Sequence, residues 1–204
     1  MNKKEHWENI YKNKAMTEVG WFEPSPELPL TYIQKNEIGV DKKIIDIGGG
    51  DSLWTEQLLE KGYNQITVMD ISPSVIQRAK VRMGTKKADK ITWIVQDILD
   101  FQSLEKYDFW YDRAAFHFLT EVSEIAKYVE IAASHMNIEG TLVVGTFSID
   151  GPTKCSGIAI KQYDEKTLEE AFLNHFDKVN CTRVDHQTPS GSTQNFVFCE
   201  FKRK

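Results

Sequence analysis

The sequence predicts an α/β fold, a mostly parallel sheet covered by helices on both faces, and two observations carry that prediction. Short apolar runs alternate with helix-period stretches along most of the chain, and two runs near the C-terminus are joined by too few residues to cross over a sheet. The first forty residues stand apart. They carry an amphipathic pattern over 3–14, a loop through Gly20-Trp21-Phe22-Glu23-Pro24, and a second helix starting near Pro26, with Ser25 as its cap and Pro26 at its first position. Strands are then expected over 43–48, 65–70, 91–95, 108–112 and 141–147, and helices over 53–60, 73–83, 121–136 and 165–174. The runs 178–185 and 195–202 flank Pro189-Ser190-Gly191-Ser192, and so short a connection pairs them antiparallel. With 204 residues and no internal repeat or interdomain linker, a single domain over 1–204 is expected.

Composition excludes several classes of partner. The net charge of −5, with basic clusters only at Lys86-Lys87 and Lys202-Arg203-Lys204, leaves no field to hold a phosphate backbone, so no nucleic-acid partner is expected. No apolar run approaches the length of a membrane span, and the segment Met1 to Trp7 lacks the apolar core of a secretory signal. The three cysteines, Cys155, Cys181 and Cys199, form no C-x-x-C pattern, so neither a disulfide framework nor a zinc site is expected, and a reducing cytoplasm is the predicted compartment. Oligomeric state is left open by the sequence.

Chemistry is concentrated where the strands end. Ile44-Ile45-Asp46-Ile47 leads into Gly48-Gly49-Gly50-Asp51-Ser52, a turn that lets backbone amides approach a ligand closely. The next strand ends at Asp70-Ile71, where a carboxylate can accept hydrogen bonds from a ribose diol. An adenosine-containing cofactor is therefore expected. The third glycine of a dinucleotide fingerprint is replaced by Leu53, which disfavours a pyrophosphate, and no lysine follows the glycines as a Walker loop requires.

The pattern D-x-G-x-G, a second acid at the next strand end, and Gln96-Asp97-Ile98 after the third strand together resemble the class I S-adenosylmethionine methyltransferases. The resemblance implies a Rossmann-like seven-stranded mixed sheet with a reversed last strand. It further implies that Asp46 and Gly48 to Gly50 lie under the methionine part of S-adenosylmethionine, that Asp70 with Ile71 holds the ribose, and that Asp97 and Ile98 meet the adenine. His6-Trp7, Val19-Gly20-Trp21-Phe22, the run Asp112 to Phe118, the run Gly151 to Gly157, and His186-Gln187-Thr188-Pro189 are similar to the branch that includes the citrate synthase lysine methyltransferase. A protein lysine is accordingly the expected methyl acceptor. A small-molecule thiol, amine or carboxylate acceptor and a non-catalytic cofactor-binding module are the alternatives.

Ligands of an open α/β sheet sit beyond the carboxyl ends of the strands, so the loops after the fourth and fifth strands should face the acceptor. Asp112-Arg113-Ala114 is not the Asn/Asp-Pro-Pro-aromatic turn of the enzymes that methylate base or glutamine amines. Asp112 can act there, pair with Arg113, or cap its own turn. Arg113 is the candidate polar contact to the acceptor, and His117, followed by His186, the candidate base, each weighed against a structural histidine. Cys155 is expected to pack, since attack on a sulfonium methyl needs no enzyme nucleophile. Trp7, Tyr11, Trp21 and Phe22 either pack the N-terminal helices onto the sheet or close over the cofactor, and Trp21 is counted with the cofactor-binding residues. No metal is expected, because Asp112 stands alone after the fourth strand.

Overall fold

Apolar runs ending in acids become the central strands of the computed structural model, which describes residues 3–204. The strands are β1 (Ile44–Ile47), β2 (Ile66–Asp70), β3 (Ile91–Val95), β4 (Tyr107–Arg113), β5 (Met136–Phe147), the short β6 (Lys154–Cys155) and β7 (Ile158–Ala159), β8 (Phe176–Gln187) and β9 (Thr193–Arg203). The helices are α1 (Lys3–Asn13), α2 (Glu27–Lys35), α3 (Trp54–Glu60), α4 (Pro73–Met83), α5 (Thr85–Ala88), α6 (Val122–His135) and α7 (Glu165–Phe172). Seven strands form one sheet in the order β3-β2-β1-β4-β5-β9-β8, parallel from β3 to β5, with β9 antiparallel to both β5 and β8. This is the Rossmann-like mixed sheet with a reversed last strand that the sequence implied. Residues 1 and 2, at the start of the expected N-terminal lid, lie outside the described residues.

Alternation along each strand builds two apolar layers. Ile45, Ile47, Trp110, Leu142 and Val144 face one side, where Tyr128 and Ala132 of α6 and Leu168 and Phe172 of α7 cover them. Ile44, Phe109, Tyr111 and Val143 face the other, against Leu30 and Ile33 of α2, Trp54 and Leu58 of α3, and Val75 and Ile76 of α4. Ser72 caps α4 by accepting from Val75 N at 3.3 Å, with Pro73 at the first helical position.

Three expectations are corrected. Pro26, not Ser25, takes the N-cap position of α2, and the Ser25 hydroxyl donates to the Glu27 carboxylate at 2.6 Å. The β6–β7 hairpin and α5 were too short to show a period in the sequence. The third correction concerns the cysteines. Cys181 and Cys199 face each other across β8 and β9 and form a disulfide with Cα atoms 4.1 Å apart, leaving Cys155 as the free thiol among the described residues. Only strand register brings them together, so their spacing held no motif, and the cysteine argument for a reducing compartment no longer applies. Among the described residues no helix is long and apolar enough to cross a membrane.

The carboxyl end of β4 is held by one buried acid. Asp112 Oδ1 accepts from Ala115 N at 2.9 Å and Phe116 N at 3.1 Å, while Oδ2 accepts from the Tyr128 hydroxyl at 2.6 Å. Of the roles weighed for Asp112, the local cap is the one its contacts form. The chain leaves β4 through Ala114 at φ 70°, a left-handed turn made affordable by these contacts. Replacing Asp112 by Ala leaves the Tyr128 hydroxyl and two backbone N–H groups without acceptors. The Asp112→Ala variant is expected to lose about 2–4 kcal/mol of folding stability by chemical denaturation; a loss under about 1 kcal/mol would show that water replaces the carboxylate.

Candidate active site

The glycine turn after β1 opens the site. Gly48 and Gly50 adopt φ of +64° and +49°, and a Cβ on Gly49 would lie 2.5 Å from Asp46 Oδ2. On Gly50 a Cβ would lie 3.1 Å from Asp70 Oδ2 and 3.5 Å from the Tyr11 hydroxyl. The glycines therefore leave room for a ligand between β1, β2 and α1 that any side chain would narrow.

Over this turn lies a cavity of about 190 Å³ of water-accessible space, far above the roughly 10–15 Å³ that one water requires. Asp46, Gly48, Gly49, Gly50, Asp70, Ile71, Asp97, Ile98, Trp21 and Arg113 all line it. The structure thus gathers every expected cofactor residue into one space at the carboxyl ends of β1, β2, β3 and β4. Asp97 caps the turn that carries Ile98, accepting from Leu99 N at 3.0 Å.

An aromatic roof closes the cavity from the N-terminal side. Trp7 meets Trp21 at 5.7 Å and Phe118 at 5.1 Å between ring centroids, and Tyr11 meets Trp21 at 6.0 Å. Two ties hold this roof. On α1, Glu8 accepts from the Ser72 hydroxyl, from Ser74 N at 3.0 Å and from the Ser74 hydroxyl at 2.6 Å, and these donors hold its carboxyl down at about 2 against the effect of burial. Arg78 of α4 adds bonds to the carbonyls of Tyr11 and Lys14 and a 2.6 Å bond to Asp51.

The second tie uses two of the residues expected to do chemistry. Arg113 donates to the Trp21 carbonyl at 2.9 Å, pairs with Glu23 at 3.1 Å and lies over the Phe196 ring. His186 places Nε2 2.7 Å from the Gly20 carbonyl and Nδ1 3.4 Å from Glu23. Burial would raise the Glu23 carboxyl, but His186 and Arg113 hold it below its usual range. His186 therefore clasps the strap Gly20 to Glu23 and stands outside the cavity lining. Arg113 reaches the cavity but spends its donors on the strap.

His117 also stands outside the cavity lining, and its buried Nε2 has no hydrogen-bond partner among the described residues. It is fully buried, with Nδ1 accepting from Phe147 N at 3.3 Å, and its ring sits 4.9 Å from Phe147. Burial, with the Arg113 charge, pushes it down to about 3, so it is neutral and weakly basic.

The acids behave differently from one another. Asp70 accepts from Ser72 N at 2.9 Å, yet burial and the charges of Asp51 and Glu8 raise it to about 7. Asp46 is raised well above the carboxylate range by burial and by Asp112 and Asp70, opposed by Arg113. Sequence reasoning passed over four residues that shape this space: Trp54 and Tyr111 in its wall, and Glu8 and Glu23 in the ties. Tyr111 was findable, because it stands opposite Asp46 once β1 and β4 are neighbours.

Residues 44–140 match a family model described as a methyltransferase domain. Human EEF1A lysine methyltransferase 2 is 25% identical over 155 residues, 69% of this chain and 66% of that protein. A malonyl-[acyl-carrier protein] O-methyltransferase of Anoxybacillus flavithermus is 33% identical over 118 residues, 56% of this chain and 42% of that protein. The match thus spans about two thirds of the first relative's length and under half of the second's. The solved N-methyltransferase NodS of Bradyrhizobium japonicum, in complex with S-adenosyl-l-homocysteine, shares the fold at a TM-score of 0.70 and 18% identity, covering 100% of this chain and 99% of that one. The expected lysine branch is met by a relative named for EEF1A.

The depressed His117 has a consequence for stability. Its folded value of about 3 lies below the ordinary histidine value of 6.5, so the unfolded chain binds more protons between these limits and stability falls as pH drops through that window. Asp112 and Asp70, raised to about 6 and about 7, act in the opposite sense from about pH 4 upward, so only a variant isolates the histidine. Going from pH 7 to pH 5, wild type is expected to lose about 2 kcal/mol more than His117→Asn in urea unfolding. Parallel pH curves would place a charged or exposed ring at this position.

Proposed function

We propose that the chain is a class I S-adenosylmethionine-dependent methyltransferase and that it transfers the methyl group to an amine, a protein lysine side chain foremost. The charge of the cavity carries this reading. Five carboxyl side chains, Glu23, Asp46, Asp51, Asp70 and Asp97, line it against two cations, Lys3 and Arg113, and Arg113 is already paired with Glu23. Asp51 is paired with Arg78, and burial with neighbouring acids raises Asp46 and Asp70, so the lining offers an arriving amine carboxyls that a cation helps to ionise and that a carboxylate would leave protonated. The lysine methyltransferase relative supports the same choice of acceptor.

The residues present fit the cofactor. Gly48 to Gly50 leave open space that would take a methionine moiety, Asp70 with Ile71 would hold the ribose diol, and Asp97 and Ile98, in the same lining, would meet the adenine. When bound, S-adenosylmethionine supplies a methyl group on a positive sulfonium as the electrophile. The chain's own part is alignment and exclusion of water. Trp7, Tyr11, Trp21 and Phe118 act in this proposal as a lid. An ammonium stripped of water against these rings loses its proton more readily, because burial disfavours the charged amine. Neither His117 nor His186 takes part.

Two outcomes test the proposal. Ribose hydroxyls donate to an ionised carboxylate, whereas Asp70 in the free protein holds its proton up to about pH 7. Affinity for S-adenosylhomocysteine should therefore fall as pH drops below that value, by up to about tenfold per unit, and Asp70→Asn should bind weakly with a flat profile. Calorimetry giving a pH-independent affinity between 6 and 8 would remove Asp70 from the ribose. For the acceptor, labelled methyl groups transferred into fractionated cell extract should appear as base-stable methylamine in the protein pool; base-labile esters or labelled thioethers would overturn the amine reading.

A further inference from the structure

The chain leaves β5 at Ser148 and returns at Tyr163, and the loop between is stapled far more heavily than a connection to α7 requires. Its neck is closed by backbone: Tyr163 N donates to the Phe147 carbonyl and Ile149 N to the Tyr163 carbonyl, each at 3.1 Å. Its tip is the β6–β7 hairpin, which turns through Ser156 and Gly157 at φ of 51° and 82°. One side chain spans the two limbs. The Gln162 amide nitrogen lies 2.7 Å from the Gly151 carbonyl, 3.0 Å from that of Ser148 and 3.4 Å from that of Ile149, so its two hydrogens serve three oxygens. The outgoing limb is fixed to the sheet, with the Ser148 hydroxyl donating to Asn195 of β9 and Asp150 paired with Arg183 of β8 at 2.8 Å. On the returning limb, Lys161 N donates to the His117 carbonyl at 2.9 Å and so ties the loop to the one after β4.

What this arm delivers to the cavity is Cys155, which lines it and lies within the fields of Arg113 and Tyr11. Burial pushes the thiol up to about 11, so at neutral pH Cys155 is an uncharged piece of wall. The sheet order decides which end of the cavity this wall serves. Asp70 and Asp97 follow β2 and β3 on one side of β1, whereas Cys155 follows β5 on the other. With the adenosine assigned to the first flank, the second is left to the acceptor. Connections in α/β units commonly need only about 2–6 residues, and a longer loop with a pinned base is a usual carrier of function. We propose that the β6–β7 hairpin is the acceptor-selecting wall of the cavity, and that Gln162 is the positioning residue that holds it there. This inference rests on the methyl-transfer reading above, whichever acceptor is used.

The test uses the intact chain and labelled methyl transfer into whichever pool of cell extract the wild type labels. Gln162→Met keeps the side-chain length and removes both hydrogens, while the backbone bonds at the neck keep the loop closed. The extract concentration giving half the plateau rate should rise about tenfold with the plateau held within about twofold, the pattern of lost acceptor binding. Affinity for S-adenosylhomocysteine by calorimetry should not change. Iodoacetamide finds one free thiol, Cys155, because Cys181 and Cys199 are joined, and it should react at least about fivefold faster once the arm loosens. Gln162→Lys, which returns donors to the three carbonyls, should restore both readouts. An unchanged half-saturation or an unchanged alkylation rate in Gln162→Met would overturn the assignment, and so would a matching loss of S-adenosylhomocysteine affinity. A wild-type protein that binds S-adenosylhomocysteine yet labels no pool would overturn the methyl-transfer reading and this inference with it.

Discussion

Adjacent parallel strands deliver carboxylates into nearly dry surroundings, and the rest of the structure answers that constraint. Asp46, Asp70 and Asp112 are all buried at the carboxyl ends of β1, β2 and β4. Like charges this close in low dielectric must be protonated, hydrogen-bonded or compensated. Asp112 is satisfied from within the protein, by two backbone amides and a tyrosine hydroxyl, and becomes a structural pin. Asp70 is half satisfied, and Asp46 is pressed between acids. That gradient separates scaffold from site: the acid whose demands are met internally shapes the turn, and the acids whose demands are left open face the cavity.

The N-terminal segment turns this static arrangement into an enclosure. It has little apolar packing of its own, since α1 buries no residue completely. What holds it is polar: Glu8 against the first turn of α4, and the Gly20 to Glu23 strap against Arg113 and His186. The first tie sits directly beside Asp70, because Ser72 bonds to both Asp70 and Glu8. Roof and cavity floor are thus coupled through one serine. Partly exposed ties of this kind are weaker than core packing, which suits a cover that must admit and release ligands.

Much of this was legible in the sequence. The strand-ending acids and the glycine turn located the cavity, because strand ends follow from apolar run lengths and ligands gather beyond them. α4 and β3 fall where the period predicted, since both carry strong local signals. The histidines misled for a physical reason. Their chain positions place them near the cavity loops, but whether an imidazole turns into a cleft or into a core is decided by distant parts of the chain, here by Phe147 of β5 for His117 and by the N-terminal loop at Gly20 for His186. The disulfide was invisible for the same reason, being created by the register of β8 on β9.

The position of β9 has a consequence for how the molecule comes into being. β1 to β4 form their half of the sheet from residues 44–113, all of which precede β9 in the chain. β5 waits for β9, whose register runs from Phe147 on Phe196 to Thr141 on Lys202. This pairing cannot form until β9 has been synthesised. During synthesis, which proceeds from the N-terminus at about 5–20 residues per second, the glycine turn and its acids can assemble while one edge of β5 is still bare. The strap cannot clasp His186 until β8 is made and docked through β9. A nascent chain therefore acquires its floor before its roof, and the bare edge of β5 is the surface that a chaperone would have to shield in the interval.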